Sequence, residues 1–311
     1  MMKFSKILPV AALGIALSVS GAQKAEAYAY AYSDLFITKG AVTINNGGFV
    51  SLAPSSTSTA TAALGGTGTA TNAAGTNADT AVATGTGSSW NIGAPTNNSW
   101  ALQGSSASNK YAWADSQIIS EQSATSLIST RQIAEGNTTD STLASSNADT
   151  SSITEVTFAV GAGGGTFQFD FDAQLNMLAE IVAPHTGIQA LATAAIEISI
   201  RNTVGGALVF NWLAGAQGLG FNVASDIDGF SFANVSVATQ NSLSSLNVTD
   251  SFQVISMLLG EGVYEMSLKA SVSERVQAHA IPAPGSIALL GLGLIALSFA
   301  RKEKSATKLA A

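Results

Sequence analysis

The sequence predicts an all-β protein, an antiparallel β-sandwich or jelly roll, and three observations support this. Apolar and polar residues alternate with a period of two in several stretches, most clearly in TFQFDFDA at 166–173. Glycine-containing turn signals separate these stretches at short intervals. Residues 110–152 are dense in Ser and Thr, which oppose a long helix. Half-buried strands joined by short turns are typical of packed antiparallel sheets.

The clearest strand pattern begins at Ile153. Phe167, Phe169 and Phe171 should face a core, while Asp170 and Asp172 should lie on the opposite face of the same strand. A Gly-Gly turn at 205–206 separates two further candidate strands. The alternation recurs in AAIEISIRN (194–202), ALVFNWL (207–213), GFSFANVSV (229–237), DSFQVISMLL (250–259) and VYEMSLKASVSERV (263–276).

Two regions next to this block are less regular. Residues 110–152 carry scattered charges and isoleucines among Ser and Thr, and they predict weak strands and loops. Residues 176–194 interrupt the alternation, so a helical turn there stays open as an interpretation.

The N-terminal region predicts a strand and then a hairpin. Tyr28, Tyr30 and Tyr32 alternate with alanines, which indicates a strand with aromatic rings on one face. The rings can serve as core or as a platform that stacks on sugars, and core is the favoured interpretation. Asn46 and Gly47 separate two β-rich runs within 41–52, which predicts a β-hairpin because this dipeptide accepts the positive φ of a tight turn.

Residues 53–109 form a low-complexity segment of Ala, Thr, Gly and Ser. Asp79 is the only charged residue between Lys39 and Lys110. Such a segment has little apolar area to offset the entropy lost on ordering. It is either a flexible linker or a set of short Thr/Ala/Val strands in a flat polar sheet. Trp90 and Trp100 predict that order returns near 90–100, with both rings as buried anchors.

Composition excludes several function classes. The formal net charge of the 311 residues is −7, and only 11% of them are charged. A chain with so few cations is a poor nucleic-acid binder, because phosphate contacts need clustered Lys and Arg. Cysteine is absent, so disulfides, thiolate ligands and thiol nucleophiles are excluded.

The first 27 residues have the layout of a secretory signal peptide. Lys3 and Lys6 form a short basic region, and an apolar core follows at 7–19. Ala25 and Ala27 provide a small-residue cleavage site, so the mature chain should begin near Tyr28.

The last thirty residues combine three elements. A Pro-rich break at 281–286 ends the preceding structure, because proline lacks a backbone N–H. The uncharged apolar run 287–300 predicts a transmembrane helix, although it is shorter than a comfortable span. Arg301, Lys302 and Lys304 follow, and their charges should keep that end in the cytoplasm. An ordinary single-pass anchor is the alternative interpretation.

This tripartite tail resembles the PEP-CTERM sorting signal of bacterial surface proteins handled by an exosortase. That family has Val/Ile-Pro-Glu-Pro, then a Gly/Leu-rich helix and an Arg-rich end. Ala283 stands where the family has Glu. The resemblance implies an exosortase-type processing enzyme as partner, a transient stay in the inner membrane, and a final place at the cell surface or in the extracellular matrix with its exopolysaccharide. The matching residues are Ile281, Pro282, Ala283, Pro284 and Gly285 in the motif, the Leu/Gly run at 289–294, and Arg301 and Lys302 at the end.

Few residues offer catalytic chemistry. A Ser/His/Asp triad would depend on His185, because His279 lies beside the Pro-rich break. Ser231 sits in GFSFA, which lacks the second glycine of a nucleophile elbow and reads as a strand residue. Asp170 and Asp172 are the candidates for a hydrolase carboxylate pair, with solvated or calcium-binding carboxylates as the alternative. The sequence DIDG at 226–229 lacks the terminal acid of a calcium loop and predicts a plain Asp-Gly turn.

We therefore expect a non-catalytic exported surface or matrix protein, without cofactor or bound metal, that associates with exopolysaccharide. The alternatives are a secreted polysaccharide hydrolase and a self-assembling structural protein, in which the Tyr28–Tyr32 strand or the low-complexity segment pairs with other chains. The expected organisation is a signal peptide (1–27), N-terminal strands (28–52), the low-complexity segment (53–109), a β-sandwich completed by 28–52 (110–276), a stalk with the sorting motif (277–286), a transmembrane helix (287–300) and a basic cytoplasmic tail (301–311).

Overall fold

Strands account for the regular secondary structure of the described residues. The computed structural model describes residues 28–51, 56–64, 67–74, 78–84, 102, 104–105, 111–120, 127–139, 144–182, 189–215, 220–239 and 241–278. These residues contain sixteen strands and no helix. Within them there is accordingly no helix that could cross a membrane. The prediction of an all-β protein is confirmed. The expectations for the signal peptide, Trp90, Trp100, His185, His279 and the tail concern residues outside these ranges.

The strands vary from two to seventeen residues in length. The longest ones follow the alternating sequence stretches, as Phe167–Val182 does. The strands are β1 (Tyr28–Ile44), β2 (Gly47–Ser51), β3 (Ser56–Leu64), β4 (Thr67–Ala74), β5 (Ala78–Thr84), β6 (Tyr111–Ser120), β7 (Ile128–Thr139), β8 (Ala144–Val160), β9 (Phe167–Val182), β10 (Gln189–Asn202), β11 (Leu208–Leu213), β12 (Gly220–Phe221), β13 (Val223–Ile227), β14 (Val235–Val237), β15 (Ser242–Ser256) and β16 (Gly262–Ala278).

The strands form two antiparallel sheets. Sheet A has the order β13-β15-β9-β1-β7-β6-β5. Sheet B has the order β12-β11-β10-β16-β8-β3-β4, with β14 added to β10 and β2 to β8. Strands β1, β6 and β7 contact β16, β3 and β8 across the interior, as the two layers of a β-sandwich do.

The interior between the sheets has two chemically different halves. In the apolar half, Phe171 and Phe252 stack with ring centroids 4.9 Å apart, and Trp212 of sheet B meets both of them edge-on. The polar half lies between β6–β7 and β3–β8 and is built from Ala, Ser and Thr. There Thr130 and Ser152 form a buried hydroxyl pair with oxygens 2.8 Å apart, which links the two sheets.

The predicted alternation is confirmed in the central strands. Phe167, Phe169 and Phe171 are buried, and so are the three isoleucines of β10. In β1, however, the alanines face the interior, while the three tyrosines lie on the outer face of sheet A. Of these, Tyr30 is only 3% exposed, because a second cluster with Tyr111, Trp113 and Ile133 forms on that face.

The predicted hairpin at Asn46 and Gly47 is wrong. β1 belongs to sheet A and β2 pairs with β8 of sheet B, so the chain crosses between sheets at this point. Asn46 does adopt a positive φ of 56°. Its amide nitrogen, Nδ2, donates to the carbonyl oxygens of Ala162 and Gly164, at 3.0 and 2.8 Å, which fixes the corner to the β8–β9 turn. The dipeptide suits any sharp turn, and its sequence does not reveal where the next strand pairs.

Other local expectations also need correction. Residues 176–182 continue β9, and β10 begins at Gln189, so both described parts of 176–194 are strand and not helical turn. Phe230 and Phe232 precede β14 in an irregular segment that packs on the core, because their rings meet Phe252 from outside the ladder. Residues 110–152 contribute β6, β7 and the start of β8, which are long strands where weak ones were expected.

The described parts of the low-complexity segment include three strands, β3 to β5. β3 pairs with β8, and β5 pairs with β6. β4 and β5 are the last strands of their sheets. β1, by contrast, is hydrogen-bonded to β7 on one side and β9 on the other, so the Tyr28–Tyr32 strand has no edge for pairing with another chain.

Both ends of the described domain leave from the same side. Tyr28 lies opposite Thr139 in sheet A, and Ala278 lies opposite Ala144 in sheet B. Only four residues connect Thr139 to Ala144, so these positions are close together. We call this side the terminal end. The opposite side, the distal end, carries the β1–β2 corner and the β8–β9, β10–β11 and β15–β16 turns.

The corner yields a matched pair of variants. A Cβ at Gly47 would overlap the carbonyl oxygen of Ala159, whereas one at Gly48 would meet nothing within 4 Å. We expect Gly47→Ala to lower the free energy of unfolding by about 2 kcal/mol, because backbone must shift to admit the methyl group. Gly48→Ala should change it by less than about 0.5 kcal/mol. Urea denaturation of both variants measures this, and equal effects would contradict the crossing geometry.

Candidate functional site

The two candidate carboxylates lie side by side on an open part of sheet A. Asp170 and Asp172 project from the outer face of β9, as the alternation predicted. With Lys39 and Ser251 they line a depression of about 410 Å³. The structure therefore brings the predicted pair together in one solvent-accessible place.

A β-bulge in β1 places Lys39, a cation, at this depression. The pairing register shifts between Ile37 and Gly40, and Lys39 at the bulge has a positive φ of 57°. Its ammonium lies 2.7 Å from Asp172 Oδ2, and the Ser251 hydroxyl donates to Oδ1 at 2.7 Å. A Cβ at Gly40 would overlap the side chains of Ile128 and Phe169, so the bulge needs glycine there.

The carboxylates of Asp170 and Asp172 both have hydrogen-bond partners within the protein. Hydrogen bonds from Lys39 and Ser251 lower the pKa of Asp172 below its usual range. Asp170 accepts amide hydrogens from Gln168 and Gln253, at 2.7 and 2.6 Å. A glycosidase needs a carboxylic acid whose pKa is raised so that it can protonate the leaving group. The shift at Asp172 has the opposite direction.

A buried glutamate on the same sheet gathers three hydrogen bonds. Glu135 Oε1 accepts from the hydroxyls of Tyr30 and Tyr111, at 2.7 and 2.9 Å, and from the Gly104 backbone at 2.7 Å. Burial, together with the negative charge of Glu135, raises the pKa of both tyrosines, which keeps them protonated as donors. Tyr30 thus serves a fixed structural role, while Tyr28 and Tyr32 pack against the cluster as half-buried rings.

A second buried glutamate lies between the sheets. Glu274 of β16 is 1% exposed, and the Ser146 hydroxyl lies 2.9 Å from its Oε1. A Cβ at Gly136 would overlap both groups, so a larger residue there would have to displace the Ser146 and Glu274 side chains. Burial raises the pKa of Glu274 well above its usual range, and the charges of Asp149 and Glu135 add to the shift. The group is enclosed and does not open onto either depression.

Another depression lies on the outer face of sheet B, and we call it the hydroxyl groove. Its volume is about 590 Å³, and it crosses β3, β8, β16 and β10. Pairs of hydroxyls join neighbouring strands across its floor: Thr59 with Ser151 at 2.8 Å, and Thr193 with Ser273 at 2.7 Å. The remaining polar residues that line it are Thr61, Thr150, Ser271, Asn234, Asp149 and Lys269.

The other candidates from the sequence that lie in the described ranges are Asp226, Asp228 and Ser231, and the two aspartates hold neighbouring segments by hydrogen bonds. Asp226 accepts the indole hydrogen of Trp212 at 3.1 Å, and Asp228 accepts the Gly215 amide at 3.1 Å. Burial raises the pKa of Asp228. Ser231 is exposed in the irregular segment before β14. No group of three or more potential metal ligands occurs within the described ranges.

The comparisons with known proteins identify the tail. Residues 280–302 match the PEP-CTERM protein-sorting motif. The predicted resemblance is confirmed. The motif indicates an exported protein that is anchored in the membrane during sorting and processed by an exosortase. No curated protein and no solved structure is significantly similar to the chain. The motif begins two residues after β16 ends, so the sorting signal is joined directly to the terminal end.

Sequence reasoning missed the buried glutamates and the hydroxyl groove. One signal for Glu274 was present: it shares the parity of Val272 and Val276, both of which are buried. The groove had no such signal, because Thr59, Ser151 and Ser273 become neighbours only through the pairing of distant strands.

The raised pKa of Glu274 predicts a pH dependence of stability. The pKa of Glu274 in the folded state lies above the unfolded value of about 4.3. The contribution of this carboxyl to the free energy of unfolding is therefore fully present below pH 4.3. It is lost as pH rises through the folded-state pKa. Relative to Glu274→Gln, the free energy of unfolding should fall as pH rises above about 4, by up to about 1.4 kcal/mol per pH unit. Urea denaturation over a pH series measures this slope.

Glu265→Gln is the matched control, because Glu265 faces solvent on the same strand. It should keep the slope of the unmodified protein. Identical slopes for Glu274→Gln and the unmodified protein would contradict a protonated buried glutamate.

Proposed function

We propose that this protein is a non-catalytic surface or extracellular-matrix protein that contacts exopolysaccharide through the hydroxyl groove. The sorting motif at 280–302 carries the proposal, because it implies export and exosortase processing. The β domain is then the part that remains outside after sorting.

The chemistry of the hydroxyl groove supports a neutral polysaccharide as ligand. Seven Ser and Thr residues line it, together with Asn234, and all of these groups can both donate and accept hydrogen bonds. Sugar hydroxyls have the same dual capacity. Asp149 and Lys269 are the two charged residues of the lining, and their charges cancel, so the groove has no net preference for an ionic ligand.

The state of the carboxylates supports a role without catalysis. Asp172 is paired with Lys39, and both oxygens of Asp170 accept amide hydrogens. Glu135 and Glu274 are buried away from both depressions. A polysaccharide hydrolase would instead place one proton-donating acid and one ionised carboxylate across a cleft.

Intact mass of the protein from its native host tests the sorting step. Surface, membrane and medium fractions are compared. We expect a mature species that begins at Tyr28 and ends between Pro282 and Gly285. A Pro282→Ala, Pro284→Ala variant should remain in the membrane fraction with its tail, because the motif is altered, whereas Thr307→Ala should behave like the unmodified protein. Retention of residues 301–311 in unmodified protein would contradict processing.

Cosedimentation with the extracellular polysaccharide fraction of the host tests the groove. Ser271→Leu removes a hydroxyl and fills the floor, and it should weaken binding at least about tenfold, which corresponds to about 1.4 kcal/mol. Thr249→Leu is the matched control, because Thr249 is exposed on the outer face of sheet A, away from the groove. Equal losses in both variants, or no loss in Ser271→Leu, would overturn the assignment of the groove.

A further inference from the structure

Four buried side-chain oxygens in the polar half of the interior have no hydrogen-bond partner among the residues that the structure describes. They belong to Ser56 of β3, Gln132 of β7, and Thr150 and Thr154 of β8. Each of these residues is at most 4% exposed. A buried polar group without a partner costs free energy, so folded proteins nearly always supply one.

The four oxygens lie along the hydroxyl bridge that joins the sheets. Gln132 Nε2 donates to Ser152 Oγ at 2.7 Å, which places the other end of the same amide beside this serine. Thr150 and Thr154 flank Ser152 on the interior face of β8, because alternate residues of a strand share a face. Ser56 lies directly opposite Thr154 in the β3–β8 pairing. The oxygens therefore follow β8 over about 13 Å.

Ser56 and Thr154 form the best-defined place for a bridging molecule. Directly opposed residues of an antiparallel pair have Cβ atoms about 4.5 to 5.5 Å apart, so these two side chains are neighbours. Neither hydroxyl oxygen has a partner, and each hydroxyl can both donate and accept. Water has the same dual capacity, and one molecule can join two buried hydroxyls that do not bond to each other.

The chemistry of the four oxygens favours water over a metal ion. All of them are hydroxyl or amide oxygens without a formal charge. Glu274 is a buried carboxyl between the sheets, but it contacts Ser146, which lies about 20 Å along β8 from Ser152. A cation among neutral oxygens would be buried without a counter-charge, which costs far more free energy than burying water.

We propose that ordered water is an integral part of the polar half of the interior, with one molecule bridging Ser56 and Thr154 and further water beside Gln132 and Thr150. This water supplies the hydrogen-bond partners that these groups do not find in the protein. It also links β3 to β8 from the interior side. β3 carries Thr59 and Thr61 of the hydroxyl groove on its other face, so the water helps to hold that side of the groove in position.

Thr154→Val in the purified full chain tests the bridge. Valine has nearly the shape of threonine but cannot bond to water, so the water and Ser56 both lose a partner. We expect the urea midpoint to fall and the equilibrium constant for unfolding to rise about fivefold. Thr157→Val is the matched control, because Thr157 lies on the outer face of the same strand and is not part of the groove lining. It should change the constant about twofold at most.

Oxygen-17 relaxation dispersion of the solvent detects the water directly. It counts the water molecules that stay bound for a long time, and exchange of hydroxyl hydrogens does not affect it. The double variant Ser56→Ala, Thr154→Val removes both hydroxyls of the bridge. We expect it to hold at least one long-lived water fewer than the unmodified protein, whereas Thr157→Val should match the unmodified protein.

The outcomes separate water from the alternatives. An unchanged or raised midpoint for Thr154→Val would overturn the proposal, because the hydroxyl would then be buried without any partner. An unchanged number of long-lived waters in the double variant would do the same. Urea midpoints in sodium, potassium and choline chloride at equal ionic strength test for a metal ion. If the midpoint of the unmodified protein depends on the cation and that of Thr154→Val does not, the occupant is an ion and the proposal fails.

Ser56→Ala provides the same midpoint comparison if Thr154→Val does not fold. It removes a single hydroxyl and adds no new atoms to the interior. None of these measurements depends on polysaccharide binding or on tail removal, so the proposal can fail while the proposed function stands.

Discussion

The rest of the structure depends on the contact between the two sheets in the polar half of the interior. Ala, Ser and Thr are small, so the layers approach closely and hydroxyls can bridge them. The Ser116 hydroxyl donates to the carbonyl oxygen of Ser151 at 3.2 Å, and the hydroxyls of Thr130 and Ser152 lie 2.8 Å apart. Polar side chains survive burial there because most of them find partners. The low-complexity segment contributes to this half through β3, whose Ala60, Ala62 and Ser58 are buried.

The sequence was most informative where one strand face is strongly apolar. Phe167 to Phe171 and the isoleucines of β10 repeat with a period of two, and burial follows that period. Pairing partners were not predictable. Asn46 and Gly47 signal a sharp turn, but only the tertiary fold decides that the chain leaves one sheet for the other. The hydroxyl groove shows the same limit, because its floor combines residues more than two hundred positions apart.

The outer faces of the two sheets have different chemistry. On sheet A, Glu135 accepts hydrogen bonds from Tyr30 and Tyr111, and Lys39 forms an ion pair with Asp172, so these polar groups already have partners within the protein. On sheet B, short hydroxyl side chains leave capacity for an outside partner, because each hydroxyl both donates and accepts. Sheet B is therefore the better candidate surface for a ligand, although sheet A holds the residues that look more reactive in the sequence.

The last strand before the sorting signal is an interior strand. β16 pairs along its length with β8 on one side and β10 on the other, so sheet B is divided until β16 is in place. During export this strand is the last part of the domain to cross the membrane. Sheet B therefore cannot be completed outside the membrane until β16 has crossed, and the sorting motif follows β16 directly in the chain. Export, folding and sorting are thus parts of one timed sequence of events.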